Sequence, residues 1–253
     1  MKQFYLFFFF LIIAISLQAQ PEFHTYQLQW IEEVKSGNPT NNYYWADRHL
    51  FYSRITTNDS ESLVQLIRSE AIPSIETYDH LKTFKHDRYR YITVGYLKTA
   101  SESLLLLSGW RDVDGDWKKE IDVLLTQKTG QNEVDKNTVS VLNEHRENWV
   151  MLANNHNPGE HIMNTYAEDA TYFSNGYKSS GWQEIIERYA YMENPDYQVD
   201  LKMEELWKFS DTGVLEVGRY FTGAERIGPG GLYVILWEKQ RTDKWQITLD
   251  FNF

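Results

Sequence analysis

Apolar and polar positions alternate along the last third of the chain. Leu215–Phe221, Leu232–Glu238 and Lys244–Phe251 are short runs with apolar or aromatic residues at every second place. Ile227-Gly228-Pro229-Gly230-Gly231 separates the first two, and Arg241-Thr242-Asp243 separates the last two. Period-two alternation bounded by Gly, Pro and Asp predicts strands joined by tight turns, here an antiparallel meander. Upstream, Tyr197–Phe209 reads as a long strand, Ala170–Ser174 as a short one, and Gly181–Met192 as a helix. Val139–Asn155 carries Val141, Leu142, His145, Trp149 and Leu152 at helical spacing. Asn157-Pro158-Gly159 breaks it, and Glu160–Ala167 makes a short helix.

The first half has the same order of patterns. Gln20–Gly37 is helical (Phe23, Tyr26, Trp30, Ile31, Val34) and Leu50–Ile55 is a strand. A capped helix follows Asn58-Asp59-Ser60, with Leu63, Leu66 and Ile67 on its stripe. Ile75–Lys85, Tyr89–Lys98, Leu104–Arg111 and Trp117–Leu125 are strands. Collinear matches lie about 120 residues apart. Trp45–Ser53 lies over Tyr166–Ser174, and Gln65-Leu66-Ile67 over Glu184-Ile185-Ile186. Val94-Gly95-Tyr96 lies over Val217-Gly218-Arg219, Trp110 over Trp237, and Trp117–Asp122 over Trp245–Asp250. We read two tandem copies of one unit. The expected division is a leader at 1–19, an N-terminal domain at 20–127, a polar linker at 128–138 and a C-terminal domain at 139–253.

The second copy resembles the nuclear transport factor 2-like superfamily, in its SnoaL-like and ketosteroid isomerase-like branch. The residues that carry the likeness are Trp149, Tyr166-Ala167-Glu168-Asp169-Ala170 leading into a strand, Gly181 with Ile185 and Ile186, Gly218-Arg219-Tyr220, Gly231–Trp237 and Asp243–Ile247. The first copy matches more weakly. The resemblance implies an α+β fold of two tandem cone-shaped units, each a curved antiparallel sheet packed on about three helices, with a pocket at the open end. It also implies that two fused copies form an internal pseudo-dimer, since the superfamily pairs sheet to sheet.

Composition narrows the functional classes. The run Tyr5–Leu17 behind Met1-Lys2 has the form of an export signal and is shorter than the roughly 20 residues that span a bilayer. The expected location is therefore periplasmic or secreted, without stable membrane insertion after cleavage. There is no cysteine, which removes disulfides and thiol chemistry. A formal net charge of −11 argues against a nucleic-acid partner. Aromatic residues at 15% supply an ample core.

No cofactor motif appears, and the histidines His145, His156 and His161 lack a metal-binding spacing and read as surface residues. The acidic run Asp112–Asp116 lacks the EF-hand positions and aligns with a plain hairpin turn, so calcium is rejected. Gly228-Pro229-Gly230-Gly231 leads into a strand, not a phosphate-binding helix. Expected pocket residues are Tyr166, Tyr172, Trp182, Tyr189, Arg219, Tyr233, Trp237 and Asp250. Arg219 stands among Leu215, Val217 and Phe221, where burial requires an anionic partner; its other reading is an exposed ion pair with Glu216 or Asp250. In the resembling enzymes an acid near Asp169 can act as general base, with a tyrosine or acid opposite; here Tyr166, Tyr172 or Tyr233 could supply the phenol, with Tyr233 the expected partner. The other reading of Asp169 is a turn residue. Two functions stand side by side: binding of a small, largely apolar molecule, or isomerase, cyclase or dehydratase chemistry by Asp169 and a tyrosine.

Overall fold

A computed structural model describes residues 22–37, 41–52, 55–57, 75–99, 103–127 and 133–253. The leader at 1–19, the helix expected after Asn58 and the first part of the expected linker, 128–132, lie outside the described residues. The N-terminal part runs α1 (Phe23–Ser36), β1 (Tyr44–Tyr52), β2 (Ile55–Thr57), β3 (Ile75–Lys85), β4 (Arg90–Thr99), β5 (Ser103–Val113) and β6 (Asp116–Gln127). The C-terminal part runs α2 (Lys136–Ala153), α3 (Pro158–Thr165), β7 (Tyr166–Ser174), β8 (Tyr177–Ser180) and α4 (Gly181–Arg188). The strands β9 (Val199–Ser210), β10 (Gly213–Thr222), β11 (Gly230–Lys239) and β12 (Trp245–Asn252) complete it.

Local chemistry sets the helix starts. Asp135 caps α2 by accepting from the Thr138 N–H at 3.0 Å. Asn157 caps α3 at the Glu160 N–H, 3.1 Å away, with Pro158 in the first turn, where its missing N–H costs nothing. At Asp112–Asp116, Asp114 and Gly115 both take positive φ (57° and 92°), the geometry of a two-residue hairpin turn. The acidic run is therefore a turn between β5 and β6.

The two six-stranded sheets have the same order, β2-β1-β6-β5-β4-β3 and β8-β7-β12-β11-β10-β9. Each is antiparallel except for one parallel pair, β1 with β6 and β7 with β12, which the long intervening connection permits. Strand alternation divides the side chains between two faces. Leu215, Val217, Leu232, Val234, Leu249 and Phe251 join residues of the first sheet, among them Ile92, Val94 and Leu107, in one buried cluster between the sheets. Tyr233, Ile235 and Trp237 point the other way, into a second cluster with the C-terminal helices. The first sheet has its own inner cluster around Trp30, Ile31 and Tyr44. The architecture is α+β, with two cones set back to back.

A bulge matters in each sheet. Leu236 pairs with Leu249 and Trp237 with Ile247, so Thr248 is the extra residue. Gly109 pairs with Ile121 and Trp110 with Lys119, so Glu120 is the extra residue in the first sheet. The bulge turns Ile247 and Lys119 toward the inside of their cones, on the same face as Asp250 and Asp122. Pairing also corrects one alignment. Tyr44 sits opposite Lys119 as Tyr166 sits opposite Ile247, which puts Tyr44, not Trp45, in the place of Tyr166. Asp47, not Arg48, then stands where Asp169 does.

Candidate functional site

The inside of the C-terminal cone holds a cavity of about 140 Å³. Its wall is mainly aromatic: Trp149 from α2, Tyr189 after α4, Tyr191 and Tyr197 at the next turn, Tyr220 from β10 and Tyr233 from β11. Asp250 from β12 is the acidic residue in that wall. It is 3% exposed.

The Asp250 carboxyl is held from one side only. Tyr166 donates to Oδ2 at 2.6 Å and Tyr189 donates to the same oxygen at 2.8 Å. Each phenol has one proton, so both protons are committed to Asp250 and the 3.3 Å approach of the two phenol oxygens is a close contact. The indole N–H of Trp149 donates to the Tyr166 oxygen at 3.3 Å, fixing that ring. Among the described residues, no side chain bonds Oδ1 and no cation pairs with the carboxyl. Burial pushes the Asp250 carboxyl up to about 6, and the two phenols restrain the rise. Burial and the neighbouring carboxylate drive Tyr166 and Tyr189 well above the ordinary phenol range. Both phenols therefore stay protonated donors.

A second charged group lies deeper. Glu216 on β10 is fully buried, and Arg146 on α2 meets it with two bonds, Nε to Oε1 at 2.7 Å and Nη2 to Oε2 at 2.8 Å. Tyr233 donates to Oε1 at 2.6 Å and the Trp237 indole to Oε2 at 2.8 Å. Glu216 is thus a saturated, charge-balanced anchor between helix and sheet. Tyr233 reaches it because position 218 is glycine: a Cβ there would lie 2.4 Å from the Tyr233 ring and hydroxyl and 2.5 Å from the Lys202 carbonyl.

The structure brings together most of the residues expected at the pocket. Tyr189, Tyr233 and Asp250 line it. Tyr166 holds Asp250, and Trp237 holds Glu216. Tyr172 is buried in the same cluster and bonds Asn252. Trp182 packs on the cluster's edge and donates to the Tyr166 carbonyl at 3.0 Å.

Two residues stand elsewhere. Arg219 shares a face with Leu215 and Val217, and that face meets the other sheet; it bonds Glu204 at 2.7 Å and the Lys85 carbonyl at 3.0 Å. Its partner is thus neither Glu216 nor Asp250. Asp169 lies within β7 rather than before it, and a pairing irregularity between Tyr166 and Thr171 leaves Glu168 and Asp169 both exposed.

His161 is another correction. It is fully buried, edge-on to Trp149 with ring centres 4.5 Å apart, and desolvation lowers it to about 3, so its ring is neutral. Arg146 and Glu216 were not foreseen, although a signal existed. Arg146 falls between Leu142 and Trp149 on the apolar stripe of α2, and Glu216 falls on the same strand face as Val214.

Among the described residues no group of His, Cys, Asp and Glu has the arrangement of a metal site, and no helix is long and apolar enough to cross a membrane. No protein-family model matches the chain. No curated protein matches it either.

Solved structures do. A nuclear transport factor 2-like protein of unknown function from Shewanella oneidensis is 26% identical, covering 45% of this chain and 93% of its own, at a TM-score of 0.36. A ketosteroid isomerase-like protein from Erwinia carotovora is 14% identical, covering 47% and 96%, at 0.38. A cystatin-like domain of unknown function from Nostoc punctiforme is 13% identical, covering 47% and 78%, at 0.40. Each matches about half of the chain. The fold rests on strand order and packing, which define two α+β cones of the same topology.

Proposed function

We propose that the C-terminal cone binds one small, largely apolar molecule, about the size of a single ring, with one polar group set against Asp250. The observation that carries this reading is the half-used carboxyl. Burying a charged group is costly unless it is paired, and Asp250 keeps one oxygen free inside an aromatic cavity. A space near 140 Å³ matches cavities of roughly 150 Å³ that take up benzene.

The test is calorimetric titration with benzyl alcohol. We expect saturable binding of one molecule per chain, abolished by Leu201→Trp, which fills the pocket from its half-buried rim. Binding unaffected by that variant would put the site elsewhere, and no binding at all would sink the reading.

One observation favours proton transfer as a second reading. A carboxyl near 6, flanked by two phenols that can donate to a developing oxyanion, suits a general base. The role then belongs to Asp250, since Asp169 faces solvent. This reading predicts that the protein speeds deuterium uptake by cyclohexanone in heavy water and that Asp250→Asn does not; equal rates would remove it. Export is proposed on the apolar run Tyr5–Leu17. Duplication of one ancestral unit is proposed on the shared strand order and on the matched Tyr44/Tyr166 and Asp122/Asp250 positions.

A further inference from the structure

The N-terminal cone contains a fully buried lysine. Lys119 places Nζ 3.0 Å from Asp122 Oδ2 and 3.7 Å from the centre of the Trp30 ring. Tyr44 donates to the same carboxyl oxygen at 2.7 Å. These partners have counterparts in the other cone. Tyr44 pairs with Lys119 and Leu50 with Asp122, as Tyr166 pairs with Ile247 and Tyr172 with Asp250. Trp30 and Trp149 each come from the helix that opens their cone and lie in its inner cluster. The bulge that turns Lys119 inward in one sheet turns Ile247 inward in the other.

One cone therefore carries its own ammonium, bonded to an aspartate and lying on an indole face. The other has the same tyrosine-held aspartate and the same indole, but an isoleucine where the lysine would enter. Among the described residues no cation touches Asp250 or lies over Trp149. The buried cation of this cone, Arg146, is neutralised by its two bonds to Glu216. What remains is one unbalanced carboxylate beside Trp149 and five tyrosines. Aromatic faces carry negative quadrupole potential, and rings grouped around a cavity are how proteins hold organic cations.

We propose that the ligand of the C-terminal cone is a small organic ammonium, a protonated amine on a ring-sized apolar body, with its charge against Asp250 and the surrounding aromatic rings. This rests on the pocket reading above and names the polar group that the pocket takes. Lys119 is its internal counterpart: in the N-terminal cone the ligand's place is filled by the chain itself, which closes that inner site.

The experiment is calorimetry of the whole protein with benzylamine, benzyl alcohol and benzoate at pH 7.5. Benzylamine is expected to bind about tenfold or more tighter than benzyl alcohol, with benzoate weakest. One benzylamine should bind per chain, and Leu201→Trp should remove it, which separates pocket binding from attraction to the acidic surface. Asp250→Asn should erase the preference for the amine while benzyl alcohol still binds. Equal affinity for amine and alcohol in the natural protein overturns the ammonium assignment and leaves the pocket reading standing. Failure of all three to bind overturns both. The ratio in the natural protein decides the matter even if Asp250→Asn does not fold.

Discussion

Asp250 is a carboxylic acid whose environment favours its neutral form, and that has a thermodynamic signature. Its folded value is about 6 against an ordinary 3.8. The folded state thus holds the proton more tightly than the unfolded chain. Its contribution is most favourable below about pH 4 and declines as pH rises toward 6, by about 3 kcal/mol for two units. Asp250→Asn has no such titration. The stability of the natural protein minus that of the variant should therefore fall by about 2 kcal/mol between pH 4 and pH 7, measured by urea unfolding at both. A difference that stays flat, or rises, would show that the carboxyl is not held as described. Asp250 was legible in the sequence as a pocket residue, whereas for Asp169 the sequence left a general base and a turn residue side by side and did not show an exposed position within a strand. Period-two reading assigns faces only while the register is regular, and the irregularity between Tyr166 and Thr171 breaks it. The burial of His161 was hidden for a related reason, since α3 is too short to display a full stripe.

At the scale of elements, α2 and the meander are joined by a charge pair with defined geometry. Arg146→Met removes the guanidinium and strands Glu216 in the interior. The expected cost is about 3–5 kcal/mol in unfolding free energy, the range for breaking a buried pair at one end. A loss below 1 kcal/mol would mean that Glu216 is solvated or protonated without its partner. Gly218→Ala tests the approach of β11 to β10. Its Cβ would overlap the Tyr233 ring and the Lys202 carbonyl, a rigid neighbour as well as a movable one. We expect a loss of about 1–3 kcal/mol, typical of overpacking, and a shifted Tyr233 ring resonance. An unchanged Tyr233 signal would contradict the packing. The succession of strands along the chain and most of their bounds were readable from alternation, because turns here are marked by Gly, Pro, Asn or Asp; the parallel pairing of β1 with β6 and β7 with β12 was not. The bulges at Thr248 and Glu120 were not, since nothing in Trp245–Asp250 or Trp117–Asp122 announces an unpaired residue.

At the scale of the molecule, the apolar outer faces of the two sheets cover each other. His49 stacks on Phe173 with ring centres 4.3 Å apart, and the Gln127 amide donates to the Lys208 carbonyl at 2.9 Å. A face already covered within one chain offers little to a second copy. The chain should therefore sediment as a monomer, and a concentration-independent dimer would count against this arrangement. Val217→Asp, which puts a charge between the sheets, should destabilise the protein far more than Arg219→Ala at the same face's rim, as thermal unfolding would report. The repeated order of patterns pointed to two similar units and the pocket was expected in the C-terminal one, but what closes the N-terminal cone was not readable. That turns on Lys119 and Ile247, which become equivalent inward positions only once both bulges are placed.

The central claim is that the C-terminal cone holds the ligand site. NMR of protein labelled in its tyrosine rings, titrated with benzylamine, tests it most directly. Saturable shifts are expected at Tyr189, Tyr197 and Tyr233, complete at one equivalent, with Tyr44, Tyr78 and Tyr91 of the N-terminal unit unmoved. Shifts confined to the N-terminal tyrosines, or none that saturate at Tyr189 and Tyr233, would contradict it.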